Sequence, residues 1–423
     1  MNRRTGMRLI MVVVLMAMTM GCSERASEQD SEREVTTRTG AQMAPTGGAA
    51  LAQQYLIVDT HIDTPYKLLR EYQDIGERID GGQFDYPRAV AGGLNVPFMS
   101  IYIPAAVDEE GKAKERAEEL ITLVEGIVAE HPDKFALAPD TKAIRDNVEA
   151  GKISMAMGME NGGPIEGDLA NVRYFYDRGI RYITLAHSKS NHISDSSYDE
   201  NRQWGGLSEF GKTLVPEMNR VGILVDVSHV SDEAFYDVLE VTEVPVVATH
   251  SSARHFIPGF ERNMSDEMIL ALADNGGIIM LNIGSTFLSL ASRQSNDQRT
   301  ALVEKYIEEN GLDPDSDEAE EAARRIREEN PLKYATMDDV LDHIDHIVGL
   351  AGIDHVGIGS DFDGVGDTLP VGFKDVSDYP NFIDGLLARG YPESDIRKIL
   401  GENFMRVWRE AEAYARMHRE TSG

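Results

Sequence analysis

An α/β fold of the parallel (β/α)8 type, a TIM-type barrel, is predicted by three features of the 423-residue sequence. Eight short apolar runs lack the alternation of half-exposed strands and therefore indicate strands buried on both faces. Segments with helical periodicity separate these runs, as in parallel βαβ units. Six runs end in side chains that bind metals or move protons. In an open sheet of eight strands the outermost strands would lie about 34 Å apart, so these side chains could not readily meet at one site. A closed barrel is therefore expected, because it brings these side chains together.

The predicted elements alternate regularly along the chain. Strands are expected at residues 55–60, 94–101, 153–159, 181–186, 222–228, 245–249, 277–283 and 356–360. Helical periodicity occurs at residues 114–130, 169–178, 212–221, 232–241, 265–275 and 337–351. Parallel strands place their carboxyl ends at one rim, where the active sites of such barrels form.

The barrel is expected to form a single domain, residues 51–423, because insertions into a barrel of about 250 residues account for the length. A highly charged stretch at about residues 295–334 interrupts the strand–helix repeat after the seventh strand. Its composition favours a solvated helical flap, and the alternative is a part of the active-site rim.

The first 50 residues are expected to lie outside the barrel. Residues 1–21 combine a basic start with an apolar run too short for a membrane span, and so resemble a lipoprotein-like signal peptide. Cys22 stands where such a leader is cleaved and lipidated. Residues 22–50 contain almost no large apolar side chain and are predicted to be a flexible tether. The protein is therefore expected to be exported to a bacterial periplasm or cell envelope with a lipid anchor at Cys22; the alternative is an ordinary secreted or uncleaved leader.

The net charge and the cysteine content exclude some classes of binding partner and of metal site. The net charge is −31, and loss of the three arginines in residues 1–21 would change it to −34. Such a surface repels phosphate groups, so no nucleic acid is expected, and membrane contact is expected only through the N-terminal lipid. The single cysteine excludes an intrachain disulfide and a thiolate metal cluster. A metal site must therefore use histidines and carboxylates.

Five residues at strand ends have the chemistry of metal ligands. His61 and Asp63 are two positions apart, so their side chains point to the same face. Glu160 follows a buried run, where a carboxylate needs a partner, and its two oxygens can bridge two cations. His229 and His250 end consecutive strands. Either alone is more often a hydrogen-bonded core histidine than a ligand, but together with the carboxylates they favour zinc or a related divalent ion.

Other polar residues near strand ends have less specific roles. His187 can bind metal or donate a hydrogen bond to a substrate oxygen, and Asp361 is a candidate proton carrier. Asp363 is expected to stabilise a turn with Gly364. Arg262 can grip a carboxylate through two hydrogen bonds, although by itself it has the pattern of a surface charge.

One further pair of histidines has metal-ligand spacing. His343 and His346 are three positions apart on the predicted helix 337–351. Because this helix belongs to the outer ring of the barrel, we expect both side chains to be solvated.

Short segments around these residues occur in a fixed order between residues 51 and 408. They are VDTHIDTP (58–65), GMENG (158–162), LAHS (185–188), VDVSHVS (225–231), THSSA (249–253), RN (262–263) and GSDFDG (359–364). Together they resemble the membrane (renal) dipeptidase family of binuclear zinc peptidases. This family has a (β/α)8 barrel of the metal-dependent hydrolase type, in agreement with the strand count.

The resemblance implies two Zn²⁺ per chain, bound by two ligand sets that share one carboxylate: His61, Asp63 and Glu160 for one ion, and Glu160, His229 and His250 for the other. It places His187 and Arg262 on the substrate and makes Asp361 the substrate-contacting proton carrier. It also implies a homodimer. The charged insertion is longer than in mammalian relatives, which are anchored through their C-terminus, so side-chain preference does not follow from the resemblance.

The expected function is hydrolysis of the peptide bond of dipeptides with a free C-terminal carboxylate. A hydroxide that bridges the two metals would attack the carbonyl, with His187 stabilising the oxyanion. Asp361 would carry the proton to the leaving amine, and Arg262 would pair with the carboxylate. The alternatives are a related binuclear metal amidohydrolase acting on N-acyl amino acids or lactam-like amides, and a non-catalytic peptide-binding lipoprotein.

Overall fold

Eight parallel strands close into a barrel in the computed structural model, which describes residues 47–314 and 316–421. The strands of the sheet are β1 Ile57–Ile62, β2 Leu94–Tyr102, β3 Phe135–Leu137, β4 Ile153–Glu160, β5 Ile180–Thr184, β6 Leu224–Asp226, β7 Val247–Ser251, β8 Ile278–Leu281 and β9 Val356–Ile358. Their order is β2-β1-β9-β8-β7-β6-β5-β4, and pairing of β2 with β4 closes the ring. The short β3 pairs with β4 outside the ring.

Helices surround the barrel and connect its strands. They are α1 Gly48–Gln54, α2 Thr64–Arg70, α3 Tyr86–Gly92, α4 Ala105–Glu109, α5 Ala113–Glu130, α6 Thr141–Glu149, α7 Ala170–Asp177, α8 Glu209–Val221, α9 Asp232–Val241, α10 Asp266–Asp274, α11 Ser285–Leu288, α12 Leu290–Asn310, α13 Asp317–Glu329, α14 Met337–Ala351, α15 Tyr379–Ala388, α16 Glu393–Arg397 and α17 Asn403–Thr421. A π-helical turn, Lys398–Glu402, precedes α17. Several helices begin at a serine whose side chain accepts a hydrogen bond from the backbone N–H three residues later: Ser208, Ser231 and Ser265.

The predicted barrel is confirmed, with all eight strands at the expected places and ends that differ by a few residues. The additional strand β3 was missed because three residues are too few to show a periodicity. Helix α1 begins at Gly48, three residues before the predicted start of the domain, and the Gly48 amide donates to the Asp384 carboxylate at 2.6 Å. This bond attaches α1 to α15.

The predicted leader, Cys22 and most of the tether lie outside the described residues, so export and lipidation stay predictions. Within the described part of the chain, none of the helices is both long and apolar enough to cross a membrane.

Aromatic side chains of α17 fill the amino-terminal end of the barrel interior. Phe404 and Trp408 are buried and lie against Phe98 of β2, with ring centroids 5.2 and 5.3 Å apart. Tyr182 of β5 stacks on Phe98, with ring centroids 5.5 Å apart. This packing closes the lower part of the barrel, so the polar residues at the strand ends open only to the carboxyl-terminal rim.

The charged insertion consists mainly of two helices. Residues of α12 and α13 bury a small apolar cluster between them, formed by Val303, Ala323 and Ile326. Most other side chains of α13 are exposed, as expected for a solvated flap. However, Asn296 in α12 lines the cleft at the barrel mouth. The insertion therefore contributes to the rim as well, which was the alternative interpretation.

The prediction that His343 is solvated is wrong. Its side chain on α14 is fully buried, Nδ1 accepts a hydrogen bond from the Ala253 amide at 3.1 Å, and Nε2 donates to the Leu288 carbonyl at 3.0 Å. His346 is partly exposed and contacts the Asp266 carboxylate at 2.8 Å. Side chains three positions apart on a helix point in directions that differ by about 60°. This difference is enough to bury His343 while His346 lies at the boundary with solvent.

Acid should destabilise the protein partly through His343. Burial lowers the pKa of this imidazole to about 4, whereas an unfolded histidine has a pKa of about 6.5. Between these values the unfolded chain binds more protons, so His343 reduces the unfolding free energy by up to about 1.4 kcal/mol for each pH unit of acidification.

Thermal unfolding of the metal-loaded protein between about pH 7 and pH 5 tests this effect. The melting temperature of the wild type should fall more steeply than that of His343→Gln, whereas His355→Gln, at a partly exposed site, should retain the wild-type slope. Equal slopes for the wild type and His343→Gln would contradict the assignment.

Candidate active site

The other four predicted metal ligands cluster around Glu160 at the end of β4. Its Oε1 lies 3.2 Å from Nε2 of His229 and 3.2 Å from Nε2 of His250, and its Oε2 lies 3.4 Å from Nε2 of His61. The carboxylate of Asp63 is 3.3 Å from the same nitrogen of His61. All five residues are buried, although they come from the ends of four different strands, β1, β4, β6 and β7. The predicted convergence at the carboxyl ends of the strands is thus present.

The chemistry of this cluster fits divalent cations. His61 Nε2 and Asp63 Oδ1 are buried and have no hydrogen-bond partner among the described residues. The Nε2 atoms of His229 and His250 approach to 2.9 Å. Burial lowers the pKa of both imidazoles well below the usual range, so both are in the neutral form that binds metal. Burial opposes ionisation of Glu160, but His61 and other histidines around it hold its pKa well below the usual value, and it stays a carboxylate.

A hydroxyl relay sets the tautomer of His250. The Thr249 Oγ1 lies 2.7 Å from the Asp226 carboxylate and 2.8 Å from His250 Nδ1. Because a carboxylate only accepts hydrogen bonds, Thr249 donates to Asp226 and accepts from the Nδ1–H of His250. The Nε2 atom of His250 therefore carries the lone pair that a metal needs.

A second relay acts on His61. The Tyr182 hydroxyl lies 3.0 Å from the Thr60 carbonyl and 2.8 Å from His61 Nδ1. Since a carbonyl only accepts, Tyr182 donates to Thr60 and accepts from His61 Nδ1–H, which leaves the lone pair on Nε2. Burial raises the pKa of Tyr182, so the hydroxyl keeps its proton. The Nδ1 atom of His229 has no such partner among the described residues.

Asp59 joins the first strand to the loop after the last strand. Its carboxylate accepts hydrogen bonds from the amides of His61 and Ser360, from the Ser360 hydroxyl and from the Tyr379 hydroxyl. Sequence reasoning missed Asp59 and Asp226. Each is an aspartate inside an apolar strand, two or three positions before a candidate ligand, and this pattern was the available signal.

A cleft of about 600 Å³ leads from the surface to the cluster. Aromatic and amide side chains from several loops form its wall: Tyr66, Tyr102, Tyr198, Phe287 and Asn296. The space accommodates a small molecule such as a dipeptide and is too narrow for a folded protein.

His187 and Asp361 both line this cleft. His187 Nε2 is 3.5 Å from Glu160 Oε1, and burial lowers the pKa of this imidazole, so it can donate from a neutral ring. Asp361 has a left-handed backbone with φ 65°, and its Oδ2 accepts a hydrogen bond from Asn282 at 2.7 Å. Burial and the neighbouring Asp63 raise the pKa of Asp361 to about 8. A carboxyl group of this kind can hold and release a proton near neutral pH.

Arg262 lies deeper than a surface charge. Its side chain is buried, with Nη1 donating to Ser251 Oγ at 2.8 Å and Nη2 donating to the His250 carbonyl at 2.7 Å. The interpretation as a surface residue is therefore wrong, and contact of Arg262 with a substrate stays a prediction. Asp363 lies in a turn with Gly364, as expected, but its carboxylate accepts hydrogen bonds from the Thr64 hydroxyl and the backbone amide of Gln83 and so attaches the turn to other segments.

The two relays predict a loss of metal affinity in two isosteric variants. Tyr182→Phe and Thr249→Val each remove the acceptor of an imidazole N–H, so the metal-binding tautomer is no longer favoured. We expect about 10- to 100-fold weaker binding of Zn²⁺, measured by competition with a chelating dye. The controls Tyr236→Phe and Thr213→Val, both at exposed positions, should bind Zn²⁺ as the wild type does. Unchanged affinity in both relay variants would disprove the assignment.

The chain is similar to one protein family and to several solved structures. The model of the membrane dipeptidases (peptidase family M19) matches residues 48–422. The probable dipeptidase PvdM from Pseudomonas aeruginosa is 28% identical, with a TM-score of 0.74 over 87% of this chain and 98% of that one. The dipeptidase AC, a metallopeptidase of family M19, is 26% identical, with a TM-score of 0.69 over 84% and 98%.

A third structure shares the fold. It is a metallopeptidase from Rhodobacter sphaeroides, liganded with a phosphinate mimic of the dipeptide L-Ala-D-Ala. It is 24% identical, with a TM-score of 0.69 over 84% of this chain and 99% of that one. The family match spans the whole barrel and all the residues of the cluster. The chain therefore belongs to the membrane dipeptidase family, peptidase family M19, and is a metal-dependent peptide-bond hydrolase.

Proposed function

We propose that this protein hydrolyses the peptide bond of dipeptides with a free C-terminal carboxylate and uses two Zn²⁺ per chain. The observation that carries the proposal is the position of Glu160 at the bottom of a dipeptide-sized cleft. Its Oε1 faces the imidazoles of His229 and His250, and its Oε2 faces that of His61. The family to which the chain belongs supports the reaction class.

In this proposal Glu160 would belong to the ligand sets of both metals. His61 and Asp63 complete the first ligand set, and His229 and His250 complete the second. Zinc bound by these residues would supply a Lewis acid for the scissile carbonyl and would lower the pKa of a water toward about 7, so that a nucleophile would be available near neutral pH.

The remaining residues orient the substrate and move its proton. His187 faces the cleft and donates a hydrogen bond to the oxygen that becomes negative during attack on the carbonyl. Asp361, which lies beside Asp63, takes a proton from the nucleophile and passes it to the leaving amine. Asn282 donates to Asp361 Oδ2 and thereby fixes the direction of the other oxygen. Arg262 pairs with the C-terminal carboxylate through the N–H groups that Ser251 and His250 leave unused.

Metal removal and a substrate panel test the proposal. Treatment with a chelator should abolish hydrolysis, Zn²⁺ should restore it, and metal analysis should find two zinc ions per chain. The panel contains L,L- and L,D-dipeptides, because the Rhodobacter sphaeroides protein is liganded with a mimic of L-Ala-D-Ala. It also contains N-acyl amino acids and lactam-like amides. Faster turnover of the acyl or lactam substrates than of every dipeptide would refute the substrate assignment.

Asp361→Asn should separate chemistry from metal binding. The amide keeps the shape and the contact with Asn282 but cannot carry the proton, so kcat should fall about 10²- to 10⁴-fold. Zinc content should stay at the wild-type value, and Asp274→Asn, exposed at the end of α10, should retain full activity. Wild-type turnover by Asp361→Asn would remove this residue from the proposed role.

A further inference from the structure

The cleft contains one positively charged side chain that the proposed mechanism does not use. Arg70, the last residue of α2, lines the cleft together with Asp63, Glu160 and Asp361. Its side chain is exposed and forms no hydrogen bond or ion pair with any residue in the part of the chain that the structure describes. The protein has a net charge of −31, and carboxylates line the cleft. The Arg70 guanidinium nevertheless has no carboxylate partner among the described residues, so it is available to bind an anion.

Other cations close to the cleft are already engaged. Lys67, one turn earlier on α2, contacts the Gly81 carbonyl and the Asp363 carboxylate. Both terminal nitrogens of Arg262 donate to the end of β7. Among the residues that line the cleft, Arg70 is the only lysine or arginine that the structure describes. A second negative group on a substrate would therefore be recognised by Arg70.

The distance from the metal cluster suits the side chain of a substrate residue. Helix α2 has seven residues and starts directly after Asp63, so Arg70 lies about 10 Å further along the helix axis. Tyr66 is four positions before Arg70, on the same helix face, and contacts Tyr102 edge to face with ring centroids 5.0 Å apart. These two rings form an apolar wall between the cluster and the guanidinium. The methylene groups of a glutamate side chain can pack on such a wall while the carboxylate reaches Arg70.

The strand order indicates which end of a dipeptide faces Arg70. Helix α2 follows β1, whereas Arg262 follows β7, and β9 and β8 separate these strands around the ring. If the C-terminal carboxylate pairs with Arg262, as in the proposed function, the N-terminal residue extends toward β1 and α2. We infer that Arg70 is a specificity-determining residue that selects dipeptides with an acidic side chain at the N-terminal position. This inference rests on the proposed function.

Matched substrates test this inference on the zinc-loaded enzyme. Glu-Ala and Gln-Ala have the same shape and differ in charge, so the ratio of their kcat/KM values reports the effect of Arg70 on charge alone. We expect Arg70→Gln to lower this ratio about 5- to 10-fold, mainly through a higher KM for Glu-Ala, and Arg70→Lys to retain part of it. Higher ionic strength should lower the ratio of the wild type but not that of Arg70→Gln. The control Arg145→Gln, an equal loss of charge on the exposed face of α6, should keep the wild-type ratio.

An unchanged ratio in Arg70→Gln would overturn the inference and would leave Arg70 as a cation that only complements the carboxyl end of α2. An effect confined to Ala-Glu and Ala-Gln would overturn the assignment to the N-terminal residue. In both cases Gln-Ala and Ala-Gln are still hydrolysed, so the proposed function stands. Absence of hydrolysis of every dipeptide by the wild type would refute the proposed function and this inference with it.

Discussion

The buried carboxylate of Glu160 is the constraint on which the site depends. A carboxylate in a low-dielectric interior stays ionised only if nearby charges and hydrogen bonds compensate the free-energy cost of its desolvation. Here three imidazole nitrogens lie within 3.4 Å of its two oxygens, and the Ser100 hydroxyl donates to Oε2 at 3.3 Å. Bound cations would add to this compensation, and the chemistry of the surrounding groups fits them. A metal bound by these residues would therefore also stabilise the mouth of the barrel.

Two buried aspartates, Asp226 and Asp59, hydrogen-bond to strand ends that carry predicted ligands and hold these ends in place. Asp226 accepts from Thr184, Thr249 and two backbone amides, and so connects three neighbouring strands. Asp59 has the same role between the first and the last strand. These two carboxylates are buried and fully bonded, which holds the ligand-bearing strand ends at fixed distances. In the Asp226 network, removal of the Thr249 hydroxyl would change the favoured tautomer of His250 and not only its position.

Tyr182 links this polar layer to the apolar core below it. Its ring packs on Phe98, which in turn contacts Trp408 of the C-terminal helix, while its hydroxyl orients His61. Gly158 on the neighbouring strand allows this arrangement, because a Cβ at that position would lie 1.9 Å from the Tyr182 ring. The C-terminal helix thus supports the site from the opposite end of the barrel. At the rim, by contrast, Arg70 and Asn296 lie on peripheral elements that can vary without disturbing the predicted metal ligands.

The sequence by itself determined the barrel, the strand-end residues that converge and the family, because local apolar patterns and short motifs carry that information. His61 and Asp63, for example, share a face through their spacing alone. Tertiary structure decided what depends on contacts between distant segments. His343 is buried although its helix belongs to the outer ring, and Arg262 is buried against the end of β7. Arg70 lines the cleft without a hydrogen-bond or ion-pair partner among the described residues. Periodicity cannot distinguish these cases, since each is set by what another part of the chain presents to the side chain.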